Sequence, residues 1–299
     1  MGHHRNCLRN SGFALHPHWH HYHMPLGSQQ EKNIYIHVLF HPILEHPYHL
    51  HFRTLSCRHI AGFRETNPSM KYKHLFFDLD HTLWDFERNS TETLTELYHH
   101  FKLEDHGIAG LETFIKTYLH RNEMMWEQHR YGNIDKETLR NKRFEFTLYD
   151  LEIEDAVLSK SLSDEYIKRA PYKTNLFPYT HEVLTYLKEK YFLHIITNGF
   201  RETQFIKMNS TNILPYFSEI ILFEEVGYNK PDINIFLHSL NKAKTTSEES
   251  LMIGDNLDVD IAGARGAKID QVYFNPNKIQ HQKEATFEIN SLIELKAFL

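Results

Sequence analysis

The chain has 299 residues, of which 41% are hydrophobic, and a formal net charge of −6. Such a length holds one large domain or two smaller ones, and the balance suits a globular protein with no general affinity for nucleic acid polymers. No apolar run approaches the roughly 20 residues needed to span a membrane, and two cysteines, Cys7 and Cys57, make no disulfide framework, so a reducing, cytoplasmic setting is expected.

Composition changes near Met70. Residues 1–70 hold 13 of the 24 histidines, both cysteines and five of the ten prolines. They show no sustained periodicity beyond one short candidate strand, Ile34–Phe40. The cluster His16, His18, His20, His21 and His23 has the donor chemistry to bind Zn²⁺ or Ni²⁺. The favoured reading of residues 1–70 is a His-rich extension that is disordered for want of packing surface, or upstream sequence read from a mis-assigned start with Met70 as the true first residue. Residues 71–299 carry 27 Lys+Arg against 36 Asp+Glu.

Lys73–Phe77 reads as a short buried strand that stops at a carboxylate. Asp78 and Asp80 follow two residues apart, a spacing that in extended chain sends both side chains to one side. Two acids crowded at an apolar strand end repel each other, and a divalent cation relieves the repulsion. Asn89 is a candidate helix cap, with Glu92 completing a capping box and Leu94, Leu97, Tyr98 and Phe101 on one face. Further helices are expected over Leu111–Tyr131 (stopped by Gly132), from Asp135 through Leu139, Arg143 and Phe146, and over Asp155–Arg169. Four helices without a strand, from about 88 to 170, read as a helical insertion after the first strand.

Alternation then returns. Helices are predicted over Thr180–Lys190, Glu202–Asn209, Pro231–Asn241 (with Ile233, Phe236, Leu237 and Leu240 inside) and Asp258–Gly266. Strands are predicted over Phe192–Ile196, Glu219–Phe223, Leu251–Ile253 and, last, Gln271–Phe274. This order implies a parallel sheet with right-handed crossovers, whose ligands gather at the carboxyl ends of the strands. Those ends carry Asp78 and Asp80, then Thr197 with Asn198 and Gly199, then Lys230 at a helix start, then Asp255 with Asp258 and Asp260 behind it. Carboxylates suit Mg²⁺, while a hydroxyl, backbone amides and an ammonium suit a phosphoryl group. The pattern therefore points to phosphoryl transfer, with one Asp of the first pair as nucleophile and the other as proton shuttle.

In these four segments, Asp78-Leu79-Asp80-His81-Thr82-Leu83, Ile196-Thr197-Asn198-Gly199, Lys230-Pro231 and Gly254-Asp255-Asn256-Leu257-Asp258-Val259-Asp260, the chain resembles the haloacid dehalogenase (HAD) superfamily. The likeness runs from about residue 72 to the C-terminus. It implies an α/β, Rossmann-like core with a parallel sheet (71–87 and 171–299) and an inserted helical cap domain (88–170). Leu83–Ser90, Asn122–Trp126 with Tyr131–Ile134, and Asn198–Gln204 are similar to the YjjG-type pyrimidine 5′-nucleotidase branch. That resemblance implies Mg²⁺-dependent hydrolysis of a small phosphomonoester, a pyrimidine nucleoside monophosphate, through an aspartyl-phosphate. By position, Asp78 is then the nucleophile and a metal ligand. Asp80 is the acid/base and lends its backbone carbonyl to the metal, and Asp255 is the third ligand. Thr197 and Lys230 bind the phosphoryl group in a pocket shaped by Asn198 and Gly199, and Asp260 supports Lys230 or a metal-bound water. Asp258 stays outside the site. His81 stands where the family often has Asp or Gly. The acid at Asp80 argues against carbon–halogen cleavage, which needs no second acid. Another phosphomonoester, such as phosphoglycolate or a sugar phosphate, is the alternative substrate, and a non-catalytic nucleotide or metal binder is the alternative class. Trp84, Phe86, Trp126 and Tyr131 are aromatic candidates for a base platform, and Phe114 and Tyr118 are read as core.

Overall fold

In the computed structural model, which describes residues 71–299, the apolar run before Asp78 is strand β1 (His74–Phe77) at the centre of a six-stranded sheet. β2 (Phe192–Thr197) and β3 (Glu219–Leu222) lie on one side of it. β4 (Ser250–Gly254), β5 (Asp270–Phe274) and β6 (Phe287–Ile289) lie on the other. The order is β3-β2-β1-β4-β5-β6 and every pairing is parallel. β6 is one strand more than the sequence pattern implies. It is only three residues long with a half-exposed Phe-Glu-Ile pattern, too short to show a period.

Side chains alternate across the sheet as the strand pleat requires. Leu75, Phe77, Leu193, Ile195, Leu251 and Ile253 point to one face, where Val183, Leu184 and Leu187 of helix α5 (Thr180–Lys188, numbered in chain order after the four below) cover them. Phe76, Ile196, Ile221 and Met252 point to the other, against Ile235 and Phe236 of α8 (Ile233–Ala243) and Ala264 of α9 (Ala262–Gly266). β1 and β4, buried on both faces, therefore read as unbroken apolar runs.

Between β1 and α5 stand α1 (Phe86–His100), α2 (Leu111–Arg130), α3 (Lys136–Asp150) and α4 (Ala156–Arg169). They close around a core of their own, including Leu94, Leu97, Phe114, Tyr118, Phe144 and Leu162. The expected insertion is thus a helical layer with a separate apolar centre. Its entry and exit are stitched together. Trp84 bridges Leu176, the Asn89 amide donates to the Asn175 carbonyl at 2.9 Å, and Asn175 donates back to Asn89 Oδ1 from its side chain at 2.7 Å.

Several local expectations shift. Asp85, not Asn89, caps α1, accepting from the Arg88 N–H at 3.0 Å; Asn89 is buried instead in the stitch just described. In α3 the residue turned inward is Phe144, and Phe146 is exposed. In α8 the inward face is Ile235, Phe236, Ser239 and Leu240, while Ile233 and Leu237 are exposed. Leu139 and Arg143 of α3 and Phe236 and Leu240 of α8 are buried as the pattern in the sequence implies; Phe146, Ile233 and Leu237 are the positions that turn outward. The expected Asp258–Gly266 helix divides into a wide turn over Leu257–Ile261 and the short α9. The N-terminal extension, its histidine cluster and the candidate strand Ile34–Phe40 lie outside the described residues. Among the described residues, no helix is long and apolar enough to cross a membrane.

Candidate active site

β1, β2 and β4 end side by side, and the turn after each supplies polar groups. β1 ends at Asp78, whose backbone N–H is held by the Ile253 carbonyl of β4 at 2.9 Å. Asp78 is buried, and its carboxylate takes an ion pair from Lys230. Lys230, itself buried, spans Asp78 and Asp260, the latter at 2.6 Å. Asp260 in turn accepts the Asn256 N–H at 3.1 Å. Asp255 follows β4 and accepts from the Thr82 hydroxyl at 3.1 Å.

Two glycines make these approaches possible. A Cβ on Gly254 would sit 2.5 Å from the Asp260 carboxyl carbon, and one on Gly199 would sit 2.2 Å from the Gln204 amide nitrogen. Asn198 braces Lys230 through the backbone: its amide donates to the Lys230 carbonyl at 2.9 Å and its oxygen accepts the Lys230 N–H at 2.8 Å. Thr197 is buried and accepts the Gly199 N–H at 3.0 Å. His81 has φ +64°, in the left-handed region that glycine and short polar residues occupy most easily. That conformation accounts for an Asp or Gly at such a place, and His81 tolerates it with its ring 4.6 Å from Phe86.

Asp80 faces a different set of partners. Lys207 of α6 (Arg201–Ser210) donates to it at 2.6 Å, and the Gln204 amide donates at 2.8 Å. The same Gln204 nitrogen reaches Thr197 Oγ1 at 2.7 Å. Burial by itself pushes the Asp80 carboxyl up, but the Lys207 ammonium and these hydrogen bonds outweigh it and hold the group below its ordinary range. Asp78 goes the other way. Burial, reinforced by the Asp260 and Asp255 charges, carries it well above the usual carboxylate value despite Lys230. Asp255 is pushed up to about 8, by burial first and then by Asp260.

Carboxylate oxygens of Asp78, Asp255 and Asp260 lie within 4.8 Å of one another. Hard oxygen donors at that spacing fit Mg²⁺, and the heightened proton affinity of Asp78 and Asp255 is the electrostatic demand a cation meets. The acid cluster therefore contains Asp260 beside the expected Asp78 and Asp255. The Asp80 carboxylate points to Lys207 and Gln204. Asp258 is exposed and pairs with Lys283.

All the expected site residues line one cavity of about 480 Å³, a size typical of small-molecule sites. Its other walls include Phe86 and Glu87 and, from α2, Leu119, His120, Asn122, Glu123, Trp126 and Arg130. Trp84 is buried in the core at 1% exposure and Tyr131 is 72% exposed; neither lines the cavity. Phe114 and Tyr118 are core. Sequence reasoning assigned no role to Gln204, Lys207 or Thr82. Gln204 closes the segment Asn198–Gln204 singled out in the sequence, and Lys207 lies three residues on, on the same face of α6.

A family model, haloacid dehalogenase-like hydrolase, matches residues 72–268. The pyrimidine 5′-nucleotidase PynA of Streptococcus pneumoniae is 30% identical over 233 residues, covering 76% of this chain and 94% of that protein. The pyrimidine 5′-nucleotidase YjjG of Escherichia coli is 28% identical over 234 residues, covering 77% and 99%. Among solved structures, the HAD-hydrolase YfnB of Bacillus subtilis, bound to magnesium, superposes with a TM-score of 0.68 at 26% identity over 76% of this chain and 98% of its own.

Proposed function

Because this chain belongs to the haloacid dehalogenase-like hydrolases, we propose that it is a Mg²⁺-dependent phosphomonoesterase acting on pyrimidine nucleoside 5′-monophosphates. Residues 71–87 and 171–299 form its catalytic core, and residues 88–170 its cap. The supporting observation is the convergence of Asp78, Thr197 and Asp255, from three strand ends, and Lys230, from a helix start, on one cavity walled by α2. The names of the two nucleotidase relatives support the substrate class.

Asp78, Asp255 and the Asp80 backbone carbonyl, with Asp260 beside them, would hold Mg²⁺, which when bound would supply charge to offset that of the phosphoryl oxygens. Asp78 attacks phosphorus, the bond from phosphorus to the ribose 5′ oxygen breaks, and Asp80 gives that oxygen a proton. Asp80, then a carboxylate, takes a proton from water; the water oxygen attacks phosphorus and frees Asp78 and inorganic phosphate. Lys207 and Gln204 hold Asp80 in the form suited to this second half. The first half needs a proton on Asp80, so the Lys207 contact must loosen as substrate enters. Thr197 Oγ1 and Lys230 donate to the phosphoryl oxygens, and Asn198 and Gly199 fix the loop that presents them.

The test is a phosphomonoester panel with and without Mg²⁺. Hydrolysis of UMP and dTMP that disappears with EDTA and returns with Mg²⁺ is the expected outcome. Phosphoglycolate or sugar phosphates turned over as well as UMP would remove the nucleotide assignment. No metal-dependent turnover of any phosphomonoester would leave the binding-protein reading.

A further inference from the structure

The cap wall of the cavity contains one polar side chain whose orientation is fixed from behind. Asn122 of α2 lines the cavity yet is only 5% exposed. Its Oδ1 accepts from Arg143 Nη1 at 3.1 Å. Arg143 is buried as well, and its guanidinium lies 4.8 Å from the Tyr166 ring centre and 5.8 Å from that of Tyr118. Among the described residues, no carboxylate pairs with it. A guanidinium can only donate. It therefore holds the Asn122 oxygen toward itself and leaves the amide nitrogen as the free end, with no acceptor among the described residues. A flipped amide would set donor against donor.

A donor that faces a ligand cavity with no acceptor in the protein is met by an acceptor on the ligand. Phe86 and Trp126, on the walls of the same cavity, offer the flat apolar surfaces that a planar ring prefers. We propose that Asn122 is a specificity-determining residue that donates from Nδ2 to a ring carbonyl of uracil or thymine, and that Arg143 is the positioning residue that sets its amide. This inference rests on the nucleotide reading above. A ring that offers only hydrogen atoms at that edge leaves the donor unpaired and is rejected; so is a phosphomonoester with no nucleobase. The phosphoryl chemistry, at the strand ends, is untouched by the choice.

The experiment is steady-state kinetics on UMP, ribose 5-phosphate and 4-nitrophenyl phosphate with the unaltered enzyme, Asn122→Asp and Arg143→Lys. Asp at 122 keeps the shape and the Arg143 contact but replaces the donor with an acceptor. The expected result is a roughly 10- to 100-fold loss in kcat/KM for UMP, carried mainly by KM, with the other two substrates within about twofold. Arg143→Lys gives a smaller loss of the same kind. Equal losses on all three substrates would make Asn122 merely structural and overturn the proposal. A UMP preference that survives Asn122→Asp would overturn it while sparing the nucleotide reading. Equal turnover of UMP and ribose 5-phosphate by the unaltered enzyme would remove both.

Discussion

A methyl group on Gly254 would lie 2.5 Å from the Asp260 carboxyl carbon. Gly254→Ala must therefore push Asp260 away from Lys230, and we expect kcat to fall at least about tenfold in a protein that still folds, checked by activity beside a thermal melt. Asp78→Asn removes the proposed nucleophile but little volume. Turnover should drop by at least about 10³-fold with the circular dichroism spectrum unchanged; activity near that of the unaltered enzyme would give the nucleophile's role to another group. Asp78, Thr197 and Asp255 were legible because each sits where a strand pattern stops, and Lys230 because it stands before a proline at a helix start; such places are visible in one dimension. Gln204 and Lys207 were not, because nothing local says that their helix leans over Asp80. Thr82 was hidden for the same reason: its bond to Asp255 joins positions 173 residues apart.

At the scale of elements, the contact between α3 and the core depends on Phe200. Its ring meets Trp126 at 5.3 Å and Phe223 at 5.8 Å, and the cations of Lys136 and Arg140 lie 4.5 and 4.9 Å from its centre. Those cations also pair with Glu202, and Lys136 reaches Glu224 at 2.9 Å. These pairs are partly exposed, so each contributes little by itself and less in salt. The buried ring carries the contact. Phe200→Ala should cost about 3–5 kcal/mol in chemical denaturation, whereas Glu202→Gln should cost about 1 kcal/mol or less. Strand and helix order were legible from periodicity, and helix phase only in part. α8 turns Ile235 inward and leaves Leu237 outside, because apolar residues on both sides of a short helix leave its rotation to be settled by what it packs on.

At the scale of the whole molecule, the sheet centre contains a titratable group with no chemical duty. His194 is buried between Phe76 and His74, with ring centres at 4.7 and 5.2 Å. Burial, then the neighbouring His74, lowers its pKa from 6.5 to about 3. The unfolded chain thus binds the extra proton between those values. This contribution to stability is complete above pH 6.5 and is lost as pH falls through the window, by about 2 kcal/mol between pH 7 and pH 5. Glu249 and Lys73 near His74 act on its own titration in opposite senses, after burial lowers it. His194→Leu should flatten the dependence of the denaturation midpoint over that range. An unchanged slope would place the acid sensitivity elsewhere. Removing residues 1–69 should leave the rate of UMP hydrolysis within about twofold, since every proposed site residue lies beyond them.

The helical layer is attached to the sheet at the paired crossing of Trp84 with Leu176 and Asn89 with Asn175, and meets it again around Phe200. Two anchorages define an axis, as two hinges do for a door. Swinging about that line would alter the clearance above Asp78 while leaving each pivot's own contacts nearly unstretched. Ligand entry and release would then share a single mechanical coordinate, and stiffening either pivot should slow both together.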